Sequence, residues 1–332
     1  MRSFWFAPGC VILRGMSDKT KGNLILLMTA ILWGTGFIAQ KKGNDYMPPM
    51  TFNAVRQIMA AIVLTPLAAS SLRKSGYLSR KEATYAQRTY RTNRLLIAGA
   101  LCGLFLLFGT ATQQIGLVTV SAGKSGFISS LYIVLVPVFS VLLGNSVSRK
   151  NIACVVIALA GFAVMSLQEG LGGATVGDWL TLASAAGFAA QIVTVNRFVD
   201  RDNAVALSQL QFLICGVAGL AIAVVMEHPA PEAVMSGMPL LLYQTIFPTA
   251  CGYTLQIMGQ KYADSSTAAL IMSTEAVFAA VFGALILNEA MSGREIIGSA
   301  IIFAAIIIGQ IERKHGSEAG GMHDGRQEKS EI

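Results

Sequence analysis

The sequence predicts an all-α integral membrane protein, in which ten transmembrane helices form two inverted five-helix repeats and both termini lie in the cytoplasm. Three observations predict this fold class: the composition, the spacing of the apolar segments and the distribution of lysine and arginine. Of the 332 residues, 54% are hydrophobic and 13% are charged, whereas a soluble domain carries about 25% charged residues. The chain has too few charges to cover a water-facing surface, so a lipid bilayer must surround much of it.

Ten apolar segments of helical spanning length follow one another along the chain. None of them alternates apolar and polar residues as the strands of an outer-membrane β-barrel do. They are rich in glycine, alanine and serine, which allow helices to pack closely in a membrane. The segments cover residues 22–40, 50–70, 95–116, 121–144, 150–168, 177–198, 204–226, 239–262, 266–287 and 293–311.

Lysine and arginine are concentrated in alternate loops. If the N-terminus is cytoplasmic, 20 of these residues lie in cytoplasmic loops and termini, whereas Lys41, Lys42 and Arg294 lie outside. This asymmetry places both termini in the cytoplasm and predicts a multi-pass protein of the plasma membrane, which is the inner membrane in a bacterium. Arg56 and Lys124 fall inside predicted spans. Because the basic residues follow the loops, the net charge of +7 does not indicate a nucleic-acid partner.

The two ends of the chain and its cysteines carry less information. Residues 1–21 form an N-terminal segment without a signal-peptide cleavage site, and Met16 is a second candidate start. Residues 313–332 are polar and glycine-rich, which predicts a disordered cytoplasmic tail. The five cysteines show no paired or metal-type spacing, so we expect neither a disulfide framework nor a metal site.

Two stretches of the chain resemble each other at an offset of 143 residues. When residues 108–136 are placed over residues 251–279, Gln113 aligns with Gln256. One glycine on each side of this glutamine also aligns with a glycine. An earlier pair of stretches, GTGFIAQ and SAAGFAAQ, aligns Gln40 with Gln191.

This repetition predicts two five-helix repeats, over residues 22–168 and 177–312. Because five is odd, the second repeat must insert upside down relative to the first. Inverted repeats with a binding site at their midplane interface are a transporter architecture.

Several stretches resemble the drug/metabolite transporter superfamily, specifically its EamA-like members. The first repeat carries AILWGTGFIAQ, PPMTFNAVRQIMAA and GFISSLYIVLVPVFSVLLG, and the second carries AALIMSTEAVFAAVFGALILNEAMSGREIIGSAII. The resemblance covers about residues 22–312. It implies a small organic solute that is moved by alternating access, often outward. The sequence departs from the family at Ala276, where many members carry a proline after the glutamate.

Lys124 lies in SAGKSGF, a stretch that invites two enzymatic interpretations. A phosphate-binding loop needs a glycine where Val118 stands, so that interpretation fails. An intramembrane serine protease needs a base near Ser125, but the three histidines fall in loops or in the tail. Lys124 then either extends to the outer headgroups and anchors its helix, or binds an anionic or carboxylate-bearing solute with help from the helix N-terminus.

Glu275 is the strongest candidate for a functional residue. It lies near the middle of the ninth segment, where a charge costs about 2.5–3.5 kcal/mol, so it must face a cavity or a partner. It could form a structural ion pair or act as a permanently protonated donor. It could instead contact a substrate amine or carry a coupling proton. Arg56 could pair with it as a structural or gating residue, because arginine does not release its proton.

Other polar and aromatic residues within the spans could line a solute cavity, or could serve only interhelical packing and hydrogen bonding. The paired glutamines are favoured, because both repeats would present them towards one centre. These candidates are Trp33, Gln40, Gln113, Gln114, Tyr132, Gln191, Tyr253 and Gln256.

Together these features predict a secondary transporter for a small organic metabolite, an amino acid or a related amphipathic solute, with export as the expected direction. No nucleotide-binding motif supports an ATP-driven pump, so the alternatives are protons as the coupling ion and facilitated diffusion. We expect no catalytic residue and no cofactor, and a monomer or homodimer in the bilayer. A membrane-embedded enzyme and a non-transporting assembly or lipid-handling protein are the competing classes.

Overall fold

The computed structural model describes residues 17–74, 84–141, 149–166, 174–199, 204–263 and 265–311. The predicted tail and the first 16 residues of the predicted N-terminal segment lie outside these ranges. Within the ranges the chain is helical and contains no β-strand, as the sequence predicts.

The described ranges contain 14 α-helices and one π-helix. The first half holds α1 (Asp18–Gly43), α2 (Pro49–Lys74), α3 (Tyr85–Gly116), α4 (Ala122–Ser129), α5 (Tyr132–Val141) and α6 (Arg149–Ser166). The second half holds α7 (Val176–Phe198), α8 (Ala204–Met226), α9 (Pro231–Ser236), α10 (Met238–Gln244), the π-helix (Thr245–Tyr253), α11 (Thr254–Gly259), α12 (Ser265–Met272), α13 (Glu275–Leu287) and α14 (Gly293–Ile311).

Seven segments of the described chain are long and apolar enough to cross a membrane. The remaining predicted spans are helical as well: Ile152–Ser166 is a shorter apolar helix, and residues 239–262 and 293–311 coincide with α10–α11 and α14. The protein is therefore an α-helical, multi-pass membrane protein. The count of ten crossings and the orientation of the termini stay predictions. The seven segments are α1, α2, α3, α4–α5, α7, α8 and α12–α13.

Helices of the first half pack mainly on helices of the second half. α2 packs along α8, α3 along α7 and α8, α6 along α14, and α13 along α1 and α4. Glycines permit the closest crossings: a Cβ atom on Gly187 of α7 would lie 2.6 Å from the backbone nitrogen of Gly109 in α3. Gly298 of α14 meets Gly161 of α6 in the same way. Small residues at such crossings let helix backbones approach closely in a membrane.

Two of the predicted spans are interrupted near their middle. The chain between α4 and α5 breaks at residues 130–131, and the chain between α12 and α13 breaks at residues 273–274. Tyr132 and Glu275 therefore each begin the second part of a broken span. They lie 143 positions apart, which is the offset between the repeats. Interrupted helices in corresponding positions of two repeats are typical of transporter binding sites.

Serine and threonine side chains accompany both interruptions. Ser273 Oγ donates to Leu270 O at 2.7 Å, and Thr274 Oγ1 donates to Ile271 O at 2.7 Å. Ser129 and Ser130 donate to backbone carbonyl oxygens of α4 at 2.6 and 2.7 Å. Hydroxyls that bond the preceding turn compete with the helical hydrogen bonds and bend helices. The second interruption therefore forms although Ala276 stands in place of a proline.

Candidate functional site

An internal cavity lies between α1, α2, α3, α5, α7, α10, the π-helix, α11 and α13. The space between its lining residues, including its opening, is about 460 Å³. Nine of the eleven candidate residues line it: Trp33, Gln40, Arg56, Gln113, Tyr132, Gln191, Tyr253, Gln256 and Glu275.

Five further residues line the cavity without having been singled out from the sequence. Gln244 lies inside a predicted span, so its polarity within an apolar segment was a usable signal. The other four are apolar, and the sequence does not distinguish an apolar residue beside a cavity from one that faces lipid or another helix. These five residues are Phe37, Phe188, Ile192, Gln244 and Pro248.

The Arg56 guanidinium is buried and held by neutral partners. Its Nε and Nη2 donate to Asn53 Oδ1 at 3.2 and 2.9 Å. When the Gln244 amide is oriented so that its nitrogen donates to Gly36 O, Gln244 Oε1 accepts from Arg56 Nη1 at 2.6 Å. An arginine has five N–H donors, so one N–H remains on Nη1 and one on Nη2.

Glu275 is 5% exposed and lies at the start of α13. In the described part of the chain its carboxyl group has no ion-pair partner. The possible pair with Arg56 does not form in this structure, in which Asn53 and Gln244 bind the guanidinium. The Tyr132 hydroxyl lies beside the Glu275 carboxyl but outside hydrogen-bonding geometry. An arginine and a glutamate side chain thus line one cavity without a direct contact between them.

Three glutamines, two of which line the cavity, form a hydrogen-bonded chain. Gln256 Nε2 donates to Gln191 Oε1 at 2.9 Å, and Gln191 Nε2 donates to Gln211 Oε1 at 3.1 Å. The chain ties α11 to α7 and α8, and it leaves Gln256 Oε1 buried without a partner. Gln40 Oε1 is also buried without a partner.

Gln114 has a different position from the other candidate glutamines. Its Nε2 donates to Gln40 O at 3.0 Å and to Asn44 Oδ1 at 2.8 Å. These bonds tie α3 to the end of α1, and Gln114 does not line the cavity. Of the two interpretations for this residue, the structure places it in interhelical hydrogen bonding.

Aromatic rings form one wall of the cavity. The Trp33 and Tyr253 ring centroids lie 4.7 Å apart, and Trp33 Nε1 donates to Pro248 O at 3.1 Å. Pro248 lies inside the π-helix, and π-helical turns are frequent at functional sites. The Trp33 ring is therefore fixed against the irregular part of the helix that carries Tyr253.

Lys124 does not line the cavity. It lies on the side of the helix bundle where α1 terminates and where α2, α4 and α7 begin. We call this region the Lys124 end. Its Nζ lies 2.8 Å from Asp178 Oδ1, and Asp178 is fully buried. Asp178 Oδ2 also accepts from Thr175 N and Oγ1 at the start of α7. The Lys124 side chain is 13% exposed and paired, and it does not line the cavity.

Two further carboxylates at the Lys124 end bind helix N-termini. Glu289 Oε2 accepts from Ala122 N at 2.8 Å, at the start of α4. Glu227 accepts from Met50 N at 2.9 Å and Thr51 N at 2.7 Å, at the start of α2. Both carboxylates belong to the second half of the chain and both helices to the first, so these contacts join the halves.

Groups that could hold a metal are sparse in the described ranges, where no three His, Cys, Asp or Glu side chains cluster. The groups that do converge in the cavity are one arginine, one glutamate, five glutamines and five aromatic rings. A largely apolar pocket with a few convergent polar groups is suited to binding a small organic molecule.

The sequence model of the EamA-like transporter family matches residues 20–167 and again residues 175–309. A protein of Archaeoglobus fulgidus, described as an uncharacterized transporter, is 29% identical over 86% of this chain and 84% of its own. A WAT1-related chloroplastic protein of Arabidopsis thaliana is 23% identical over 86% of this chain and 68% of its own. A crystal structure with 19% sequence identity has the same fold, with a TM-score of 0.62 over 88% of this chain and 98% of its own. The chain therefore belongs to the EamA-like transporter family, within the drug/metabolite transporter superfamily.

Proposed function

We propose that the protein is a secondary transporter of a small zwitterionic solute, an amino acid or a related compound, and that it exports this solute across the plasma membrane by alternating access. One observation carries the proposal: Arg56 and Glu275 are buried in the walls of one cavity and have no ionic partner there. Buried charges are stable only when they are paired and hydrogen-bonded. A solute with a carboxylate and an ammonium group supplies both missing partners.

The solute carboxylate is proposed to bind Arg56. Asn53 and Gln244 fix the guanidinium plane and occupy three of its donors. The remaining N–H groups on Nη1 and Nη2 can bind the two oxygens of a carboxylate, which is the geometry that arginine favours. Because the side chain is already ordered, little rotamer entropy is lost on binding.

The solute ammonium is proposed to bind Glu275. A carboxylate that holds either an ammonium group or a proton binds the two in competition. Release of the solute then accompanies proton uptake, and the two move in opposite directions across the membrane. This competition supports solute export driven by inward proton movement, with the proton as the coupling ion.

Alternating access requires the cavity to open first to one side of the membrane and then to the other. The interruptions before Tyr132 and Glu275 and the π-helix around Pro248 all border the cavity. Irregular helical segments absorb changes in backbone direction with little loss of hydrogen bonding. We propose that the helices bend at these three places when the cavity opens to either side.

The test is counterflow in liposomes that contain the purified protein, with amino acids, amines lacking a carboxylate and carboxylic acids lacking an amine as competitors. We expect saturable exchange of amino acids, with weak competition from both analogues. The exchange depends on the pH gradient, and Glu275→Gln removes that dependence. The control is Glu232→Gln, at an exposed position in α9, which keeps it.

Three results would count against the proposal. Competition by the analogues as strong as that by amino acids would reject zwitterion recognition. Unchanged pH dependence in a folded Glu275→Gln variant would reject Glu275 as the coupling carboxyl. Absence of flux for every solute class would reject transport through this cavity.

A further inference from the structure

Gln40 and Gln256 present buried acceptor oxygens that the fold leaves without donors. Gln256 is fully buried and Gln40 is 5% exposed, and both line the cavity. Among the residues that the structure describes, neither Gln256 Oε1 nor Gln40 Oε1 has a hydrogen-bond partner. A buried acceptor without a donor costs most of its hydration free energy, so two such oxygens beside one cavity need an explanation.

Within the described ranges, the chain of amides has one unpaired group at each end, Gln256 Oε1 and Gln211 Nε2. Gln256 Nε2 donates to Gln191 Oε1, and Gln191 Nε2 donates to Gln211 Oε1. The hydrogen bond to Gln191 therefore holds the Gln256 amide by its nitrogen. The Gln256 oxygen remains free to accept a hydrogen bond. Hydrogen bonds arranged in such a chain polarise one another, which strengthens the acceptor at its end.

The group that meets these oxygens must be a neutral donor. The cavity already holds one cation and one anion, which the proposed zwitterion pairs. A second cationic group on the solute would lie buried near Arg56 without a partner, which is costly. Hydroxyl and primary-amide groups donate a hydrogen bond without adding charge.

Resting on the proposed function, we infer that Gln40 and Gln256 form an uncharged subsite that selects solutes carrying a hydroxyl or primary-amide group in addition to the zwitterion. A site that hydrogen-bonds such a group rejects an isostere lacking it, because the buried acceptors are then left unpaired. The subsite thus determines side-chain specificity, whereas Arg56 and Glu275 bind the charged ends common to all such solutes.

The experiment uses pairs of amino acids that differ by the donor at nearly constant volume: threonine against valine, and glutamine against methionine. Each competes for counterflow in liposomes containing the wild-type protein. We expect the donor-bearing member of at least one pair to compete about fivefold or more strongly, since leaving a buried acceptor without its donor weakens binding by at least about this factor. Equal or stronger competition by valine and methionine would overturn the subsite.

The variant that locates the subsite is Gln256→Met, which keeps the length of the side chain and removes the acceptor. We expect Gln256→Met to reduce the ratio of competition strengths between the donor-bearing and the apolar amino acid to about one. The apolar amino acid should compete as strongly as it does with the wild-type protein. The matched control is Gln209→Met, because Gln209 bonds Thr65 outside the cavity, and it should keep the preference. A Gln256→Met variant that keeps the full preference would also overturn the subsite.

The two proposals fail in distinguishable ways. If wild-type protein exchanges amino acids but ignores the side-chain donor, the uncharged subsite is rejected and the zwitterion site stands. If wild-type protein exchanges no amino acid, the proposed function is rejected and the subsite is rejected with it. The wild-type comparison does not depend on the folding of any variant.

Discussion

The Lys124 end and the cavity differ in whether their buried ionisable side chains have an ionic partner. At the Lys124 end, Lys124 Nζ lies 2.8 Å from Asp178. In the cavity, Glu275 has no ionic partner in the described part of the chain, although it is 5% exposed. Both residues lie on interrupted spans that the repeat relates to each other. The comparison shows that the role of a charged residue within a span follows from the groups that contact it. Its position along the span does not indicate that role.

The same contrast extends to neighbouring carboxylates. Glu289 and Glu227 bind backbone N–H groups at helix N-termini, where the helix dipole stabilises negative charge. These contacts join the two halves of the chain. We infer that the Lys124 end holds the halves together, whereas the cavity between them keeps its charges available for a solute.

The largest effect is expected from breaking the ion pair of the Lys124 end. Lys124→Met leaves the fully buried Asp178 without its cation, which costs about 3–5 kcal/mol of stability in comparable pairs. Thermal unfolding of the purified variant in detergent measures the loss. Adding Asp178→Asn should recover part of it, since the unpaired charge is then gone. An unchanged unfolding temperature in Lys124→Met would show that this pair does not stabilise the fold.

An effect of similar size, on transport rather than on folding, is expected at Arg56. Arg56→Met removes two charged hydrogen bonds to the solute carboxylate, each contributing about 1.5–3 kcal/mol, so KM for an amino acid should rise about 100-fold or more. Competition by an amine without a carboxylate should not change. If both competitors weaken equally, Arg56 serves the cavity structure instead of the carboxylate.

The smallest effect is expected where a charge only caps a helix. Glu289→Gln keeps a side-chain acceptor near Ala122 N but removes the charge from the N-terminus of α4, which contributes about 0.3–1 kcal/mol. The thermal unfolding midpoint should fall by much less than in Lys124→Met. A loss as large as that of Lys124→Met would place Glu289 among the main contacts that join the halves.

Most of the fold was predictable because the sequence features that indicate it are summed over long stretches of the chain. Apolar length, the positions of basic residues and the 143-residue repeat each extend over many residues. The interruptions were not predicted, because they depend on a few hydroxyls, such as those of Ser273 and Thr274, whose hydrogen bonds compete locally with the helix.

The site was predictable to the extent that polar residues within spans must face other protein groups. That rule selected Arg56, Glu275 and four of the five cavity glutamines. It could not separate Lys124 from them, because the partner Asp178 lies on a different helix and far along the chain. It also could not find Phe37 or Phe188, since apolar side chains are stable beside lipid, protein or a cavity.

The central claim is that the unpaired cavity charges serve the solute and not the fold. The most direct measurement compares thermal unfolding of wild-type protein and Glu275→Gln in detergent, with and without an amino acid that exchanges in counterflow. A bound solute stabilises the state that binds it. We expect Glu275→Gln to unfold at the wild-type temperature or above, since a neutral amide is easier to bury than a carboxylate, and to gain no stability from the solute. A variant that loses stability as Lys124→Met does, or that the solute stabilises as it does wild type, would contradict the claim.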